Sequence, residues 1–203
     1  YGFNNFQSTL PVGNNLNNKG EYWYKRKYIS ELLSSNNFYE IQTLSFADSE
    51  SNKIFSPEKN PVTVINPIDQ TQENLRTNLL FSLINTYKYN YENNSVSHKY
   101  YEINNIYDDG KHKLYKNIPN QEYSLGFLIP EYESNTDSRG ELIHNDIHTL
   151  TNFIKLLFPQ VQFEQISRPG FHKNYSYILK FNNQIIGFMG KLSYSFLFFL
   201  SKS

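Results

Sequence analysis

The sequence predicts an α+β fold in which helices flank an antiparallel sheet, and three observations carry that expectation. First, a leucine-rich stretch places Leu75, Leu79, Leu80, Leu83, Ile84 and Tyr87 on one helical face. Second, residues 145–158 repeat the pattern with Ile147, Leu150, Phe153, Ile154 and Leu157, and Pro159 stops it. Third, residues 175–181 and 184–192 read as strands joined by Asn182-Asn183, a hairpin signal.

Taken in order, residues 1–20 are rich in Asn, carry Pro11 and glycine, and read as an extended linker ahead of a core at 21–203. Residues 21–34 place Tyr24, Tyr28, Ile29, Leu32 and Leu33 at helical spacing. Asn36-Asn37 supplies a stop, because Asn tolerates left-handed backbone. Residues 38–46 alternate partly, through Phe38, Ile41, Leu44 and Phe46, and read as a strand. Residues 48–61 are polar and read as a loop. Val62, Val64 and Ile65 form a short strand that Asn66-Pro67 ends, since Pro cannot continue a ladder. Asp69 and Gln72 stand at capping-box spacing and open the leucine-rich helix, which ends near Asn90. Residues 99–107 and 123–129 read as strands, with Asp109-Gly110 as a turn, and residues 161–166 as a further strand.

Lys+Arg and Asp+Glu number 19 each, so the formal net charge is zero. A chain built to grip phosphate backbone is usually basic, and neutrality weighs against that as the main role. The absence of cysteine excludes disulfides, thiol nucleophiles and cysteine zinc sites, and fits a reducing cytoplasm. The longest apolar run, residues 196–200, falls far short of the roughly 20 residues a membrane helix needs, so no membrane role is expected. Tyr 17 and Phe 16 against a single Trp mean that phenyl rings must supply much of the buried apolar surface.

Asn66-Pro67, then Leu75-Arg76-x-x-Leu79-Leu80, then Tyr101-Glu102-Ile103 follow one another in a set order. Around them stand Tyr1-Gly2-Phe3-Asn4-Asn5 with Leu10-Pro11, and Phe38-Tyr39-Glu40 with Ser45-Phe46. Later come Asn145-Asp146-Ile147, Arg168-Pro169-Gly170 and Ile186-Gly187-x-x-Gly190. This series resembles the catalytic-like core of the beta subunit of bacterial phenylalanyl-tRNA synthetase, which has Asn-Pro, Leu-Arg-x-x-Leu-Leu, Phe-Glu-Ile-Gly, His-Pro-Gly and Ile-Gly-x-x-Gly in that order. The chain departs from it at Asn104 for Gly, His148-Thr149 for Lys-Gly, Arg168 for His, and Ser193-Tyr194 for His-Pro. The resemblance implies a class II synthetase-like sheet with no catalytic residues of its own. It also implies a module of a longer chain that joins a cytoplasmic assembly of two alpha and two beta subunits. That assembly ligates phenylalanine to tRNA(Phe) with ATP and magnesium, and its alpha subunit does the chemistry. Neither cofactor is expected in this module. By the same resemblance, the helix at 21–34 and the strand at 38–46 take the position of the class II dimerisation element, which makes Trp23, Tyr24, Tyr28 and Leu32 the expected alpha contacts.

An active class II core needs arginines on the ATP phosphates, on an Arg-x-Glu strand and on a helix following a Gly-rich strand. Arg76 is instead read on or just before the leucine-rich helix, where pairing with a carboxylate suits it better than phosphate. Arg139-Gly140-Glu141 is a polar turn, and Gly187 and Gly190 lead to Lys191. His144 and His148 stand four apart, as in His-Glu-x-x-His metal sites, but Asn145 replaces the Glu and no third ligand follows; the plainer reading is two exposed residues at a helix start. His172 reads as a loop residue. Lys25, Arg26 and Lys27 beside Trp23 offer RNA stacking and charge, or merely a solvated helix face. Two other classes stay open: a stand-alone RNA- or ligand-binding paralogue, and an active ligase.

Overall fold

The computed structural model describes residue 5 and residues 20–69, 72–93, 98–111 and 118–193. The linker read at 1–20 lies almost wholly outside them, as does the apolar run at 196–200. In order, the described elements are α1 (Glu21–Ser35), β1 (Phe38–Glu40), β2 (Phe46–Ala47), α2 (Ser49–Phe55), β3 (Asn74–Leu75), α3 (Leu80–Glu92), β4 (Lys99–Lys111) and β5 (Pro119–Leu128). Then follow β6 (Tyr132–Thr136), β7 (Leu142–His144), α4 (Ile147–Leu157), β8 (Gln162–Gln165), β9 (Phe171–Phe181) and β10 (Gln184–Leu192).

The fold class is mixed, with helices against sheets, but the single antiparallel sheet needs correction. Among the described residues the strands form two three-stranded sheets, β1-β4-β5 and β10-β9-β8, and two ribbons, β2-β3 and β6-β7. β1 runs parallel to β4, Phe38 opposite Lys99, because the chain between them makes a long crossover through α2 and α3. The other named pairs are antiparallel.

Where local chemistry is strong, expectation and structure agree. Asn37 takes φ 62° just past α1. Asn182 and Asn183, at φ 49° and 61°, make the tight turn between β9 and β10. α4 falls within the expected 145–158, and its start adds a cap that the apolar period did not foretell: the Asp146 carboxylate accepts the Thr149 N–H at 2.9 Å, and the Asp146 N–H donates to the Thr149 hydroxyl. This closes a capping box one residue before the helix.

Elsewhere tertiary pairing overrides sequence pattern. The strand at 38–46 is two short ones, β1 and β2, separated by a stretch outside the ladders in which the Ile41 N–H donates to the Tyr101 carbonyl and the Ser45 carbonyl accepts the Arg76 N–H. The polar 48–61 contains α2, whose N-cap Asp48 accepts the Ser51 N–H at 2.8 Å. The strand at 62–65 shrinks to one bridge, Thr63 opposite Asn74. The leucine-rich helix begins at Leu80, not at Gln72, because Asn74 and Leu75 pair with β2. Asn78 performs the capping, its side-chain oxygen accepting the Leu80 and Phe81 N–H groups. The helix runs past Asn90 to Glu92, with Asn93 at its C-cap. Asp109-Gly110 is not a free turn: β4 continues to Lys111 through a register shift after Asp108. The β6–β7 hairpin was not anticipated, and Arg139-Gly140-Glu141 lies in its connection.

The β4–β5 pair organises the core, because its side chains alternate between two covered faces. On one face Tyr100 and Ile106 pack against Leu79 and Leu83. Gly126 lets α3 approach there, since a Cβ would sit 2.9 Å from Leu79 Cβ and Leu83 Cδ1. On the other face Tyr101 and Ile103 meet Leu33 and Phe38, with Phe153 and Leu157 from α4 closing over them. Burying each such side chain contributes about 1.5–3 kcal/mol. Further clusters join α2 and α3 to β9 through Phe55, Ile84 and Phe171, and α4 to β9 and β10 through Ile154, Leu179 and Met189.

Candidate functional site

Two regions bear on function: the outer face of α1, and the polar centre where Arg76 meets β4. On α1 the inward residue is Leu33, at 1% exposure. Tyr22, Trp23, Tyr24 and Tyr28 all face outward, Tyr24 and Tyr28 at 58% and 61% exposure. Leu32 is half-buried, which makes it the weakest of the four expected contacts. The outer aromatics are ordered by one another. Trp23 meets Tyr24 edge-on at 5.2 Å, Lys27 Nζ lies 5.5 Å from the Trp23 ring, and Tyr22 packs on Tyr123 of β5 at 4.4 Å. Partial burial against Tyr123 pushes the Tyr22 phenol above its usual pKa.

The three basic residues beside Trp23 are each paired with a carboxylate. Lys25 meets Glu21 at 2.6 Å, Arg26 meets Glu40 at 3.2 Å, and Lys27 meets Glu31 at 3.6 Å. The bond and charge of Lys25 hold the Glu21 carboxyl below its ordinary pKa. A face with its charges matched in this way attracts phosphate weakly, which disfavours the RNA reading. What it leaves uncovered is aromatic surface.

Arg76 lies just before the helix, at 1% side-chain exposure, against Glu102 at 0%. Its Nη2 donates to Glu102 Oε1 at 3.0 Å, its Nη1 to the Thr43 hydroxyl at 2.7 Å, and its Nε to the Asn105 carbonyl at 3.1 Å. Glu102 also accepts from the Thr43 N–H and hydroxyl at 3.1 and 2.8 Å, and from Asn104 Nδ2 at 3.0 Å. The carboxylate partner expected for Arg76 is thus Glu102 of the Tyr101-Glu102-Ile103 motif. The Asn104 that replaces the family glycine joins this network directly. The motif residues Leu79, Leu80 and Tyr101 pack in the core around it. Leu75 sits on β3, while Asn66 and Pro67 form an exposed loop.

Among the described residues none of the arginines is set out towards an open phosphate site. Phosphate binding needs free, preorganised positive charge, and all four arginines are engaged. Arg26 pairs with Glu40, Arg76 with Glu102, Arg139 with Asp137 and Glu141, and Arg168 with Glu58. Arg168 also donates to the Phe55 carbonyl at 2.9 Å and lies over the Phe188 ring at 4.2 Å. Arg168-Pro169-Gly170 therefore clamps the start of β9 onto α2. Gly170 is required there at φ +79°, where a Cβ would sit 2.7 Å from the Phe55 ring. Gly190 is equally confined, its Cβ position lying 2.6 Å from the Tyr175 carbonyl, whereas Gly187 has room.

His144 and His148 do not share a helix, for His144 ends β7 and Asp146 caps α4 between them. Among the described residues, no group of three or more His, Asp or Glu gathers as metal ligands would. His172 is a strand residue of β9, accepting the Asn174 N–H. Sequence reasoning missed one buried ion pair: Lys99 meets Glu133 at 3.2 Å, and Asn145 Nδ2 donates to the same carboxylate at 2.9 Å. No helix among the described residues is long and apolar enough to cross a membrane.

Comparison with known proteins bears on the family and the fold. The family model described as the phenylalanyl tRNA synthetase beta chain CLM domain matches residues 6–197. The phenylalanine–tRNA ligase beta subunit of Aster yellows witches'-broom phytoplasma is 31% identical over 186 residues, covering 85% of this chain and 21% of that protein. The beta subunit from Shouchella clausii is 27% identical over 202 residues, covering 95% of this chain and 25% of that protein. The chain thus spans between a fifth and a quarter of the length of these relatives. Pyrrolysyl-tRNA synthetase from Desulfitobacterium hafniense shares the fold at a TM-score of 0.57 and 9% identity, covering 84% of this chain and 59% of that one.

Proposed function

This chain belongs to the phenylalanyl tRNA synthetase beta chain CLM domain family, and from that premise we propose that it is a non-catalytic module that docks the catalytic alpha subunit of phenylalanine–tRNA ligase. In this reading the whole enzyme joins phenylalanine to tRNA(Phe) in the cytoplasm, and ATP and magnesium are used in the alpha subunit. The observation that carries the reading is a contrast. The arginine that could have faced a phosphate is buried against Glu102 at 3.0 Å, while α1 leaves Trp23, Tyr24 and Tyr28 uncovered. Exposed tyrosine and tryptophan on a rigid helix are what an interface core uses. Interfaces of permanent complexes bury on the order of 2,000 Å² or more, so α1 with Leu32 at its margin is one part of a wider contact.

The test is co-purification of the full-length protein with its alpha subunit. The double variant Tyr24→Asp/Tyr28→Asp puts two charges on the outer face of α1 and leaves Leu33 in place. It should lose the alpha subunit while keeping its circular dichroism spectrum. Undiminished co-purification of the folded variant refutes docking through α1. Tight tRNA binding by the protein without any alpha subunit would instead favour an RNA-binding paralogue.

A further inference from the structure

We propose that the outer face of the β2–β3 ribbon, with the loop at residues 65–68, is a second docking surface for the alpha subunit, continuous with α1; this rests on the chain being an alpha-docking module. Side-chain alternation fixes which way the ribbon faces. Phe38 packs with Leu33 of α1, and Glu40 meets Arg26 of α1. Ile41 packs with Leu79 and Leu83, and Thr43 bonds Glu102 and Arg76, on the opposite side. Alternation returns Leu44 and Phe46 to the side of α1, and Phe46 is open to solvent while Ala47 is buried. The partner strand keeps the same parity. Asn74 and Arg76 turn inward, to Ser49 and to Glu102, so Leu75 between them turns outward beside Phe46. Thr63 also turns inward, bonding Asn74, which leaves Val62 and Val64 outward as well.

The face so formed is apolar and uncovered. Leu44 is 68% exposed and Phe46 37%, with Val62, Val64 and Leu75 half-buried beside them. Ile65 and Ile68, at 94% and 88%, are the most exposed large apolar side chains among the described residues. Single exposed apolar residues are ordinary, but a contiguous set of this kind marks a contact surface. None of these side chains carries charge, so the surface they complement is an apolar one.

Position and size select the alpha subunit as the occupant. The Arg76 carbonyl accepts the Tyr107 N–H, and Arg76 Nε donates to the Asn105 carbonyl, which sets the ribbon along the far half of β4. Asn105 stands opposite Tyr123 of β5, and Tyr22 of α1 packs on Tyr123. Asn105 and Tyr107, both half-buried, follow Tyr101 and Ile103 on the α1 side of β4 by the same alternation. The ribbon and the first turn of α1 therefore flank β4 on one side, at the same level. An interface of even standard size takes about 20–30 residues a side, far more than the aromatic residues that α1 presents. A partner seated on those residues reaches that size by crossing β4 onto the ribbon.

The experiment measures the affinity of the full-length protein for its alpha subunit, in the parent and in three double variants. Ile65→Ser/Ile68→Ser should weaken binding at least about tenfold. Its circular dichroism spectrum should match the parent's, because both side chains stand almost wholly in solvent. Ile65→Leu/Ile68→Leu, which keeps the apolar surface, should bind as the parent does. Amide hydrogen exchange should show protection at 44–46 and 62–68 when the alpha subunit is added. Tyr24→Asp/Tyr28→Asp runs alongside. If it loses the alpha subunit while the serine variant binds like the parent, the ribbon surface is overturned and docking through α1 stands. If only the serine variant loses it, the ribbon surface stands and docking through α1 falls. If neither loses it, both fall. Protection of 62–68 without the alpha subunit also overturns the proposal: when independent of concentration it assigns the face to another part of the chain, and when rising with concentration to a second copy.

Discussion

Two arginine–carboxylate pairs in this molecule have nearly the same geometry and opposite settings. Arg76–Glu102 closes at 3.0 Å with both side chains sealed from solvent, while Arg26–Glu40 closes at 3.2 Å with each about one-third exposed. The first is enclosed by Thr43, Asn104 and Asn105; the second sits on the rim of α1, where the Tyr101 hydroxyl also donates to Glu40 at 3.1 Å. The difference shows that the same pair of charges serves as an internal fastener in one place and as a surface contact in the other. Burial turns the charge inward, where it orders the join between β3, α3 and β4.

Breaking the buried pair should have the largest effect. Arg76→Ala strands Glu102 in the core, and the expected loss is about 3–5 kcal/mol. Amide hydrogen exchange along β4 measures it directly, because β4 carries Glu102 and Asn104. Replacing both partners, Arg76→Met with Glu102→Leu, sharpens the point. That double variant should recover most of the loss, because no charge is left unpaired. A double variant as unstable as Arg76→Ala would mean that the surrounding polar groups, and not the charges, hold this region.

At the rim, Arg26→Ala should cost no more than about 1 kcal/mol by the same measurement on α1, since solvent screens the pair. A cost approaching that of Arg76→Ala would erase the contrast.

The smallest effect concerns acid stability. Backbone N–H donation from Thr149 holds the Asp146 carboxyl below its ordinary value of 3.8. A group with a lowered folded pKa stabilises above its unfolded pKa, and that contribution disappears as pH falls through the folded one. Protection of α4 should therefore decline below about pH 3.8 in the parent, and Asp146→Ala should flatten that decline while lowering protection at neutral pH. An identical pH profile for the variant would remove Asp146 from the account.

The parts legible in the sequence are those whose signal is local. The Asn pair at 182–183 needs only its own left-handed backbone, and the apolar period of α4 needs only its own few turns. The start of α3 misled because Leu75 and Leu79 stand four apart and mimic one helical face. Pairing of Asn74 and Leu75 with Phe46 and Ala47, nearly thirty residues earlier, decides otherwise. α2 was hidden because seven residues hold too few apolar positions to show a period, although Asp48 followed by Ser51 marks its cap. The glycine and arginine motifs were visible, but their reasons were not. Gly170 is read from Phe55, and Arg76 from Glu102, contacts that exist only once distant segments meet.

The parallel pairing of β1 with β4 sets an order of events on the ribosome. Phe38 waits for Lys99, about sixty residues later, and at a synthesis rate of about 5–20 residues per second that is a delay of roughly 3–12 s. Until then Leu33 has no Tyr101 or Ile103 to lie against, and α1 shows solvent its inner leucine and its outer tyrosines together. The helix proposed to greet another subunit thus spends that interval open to unwanted company on both its faces.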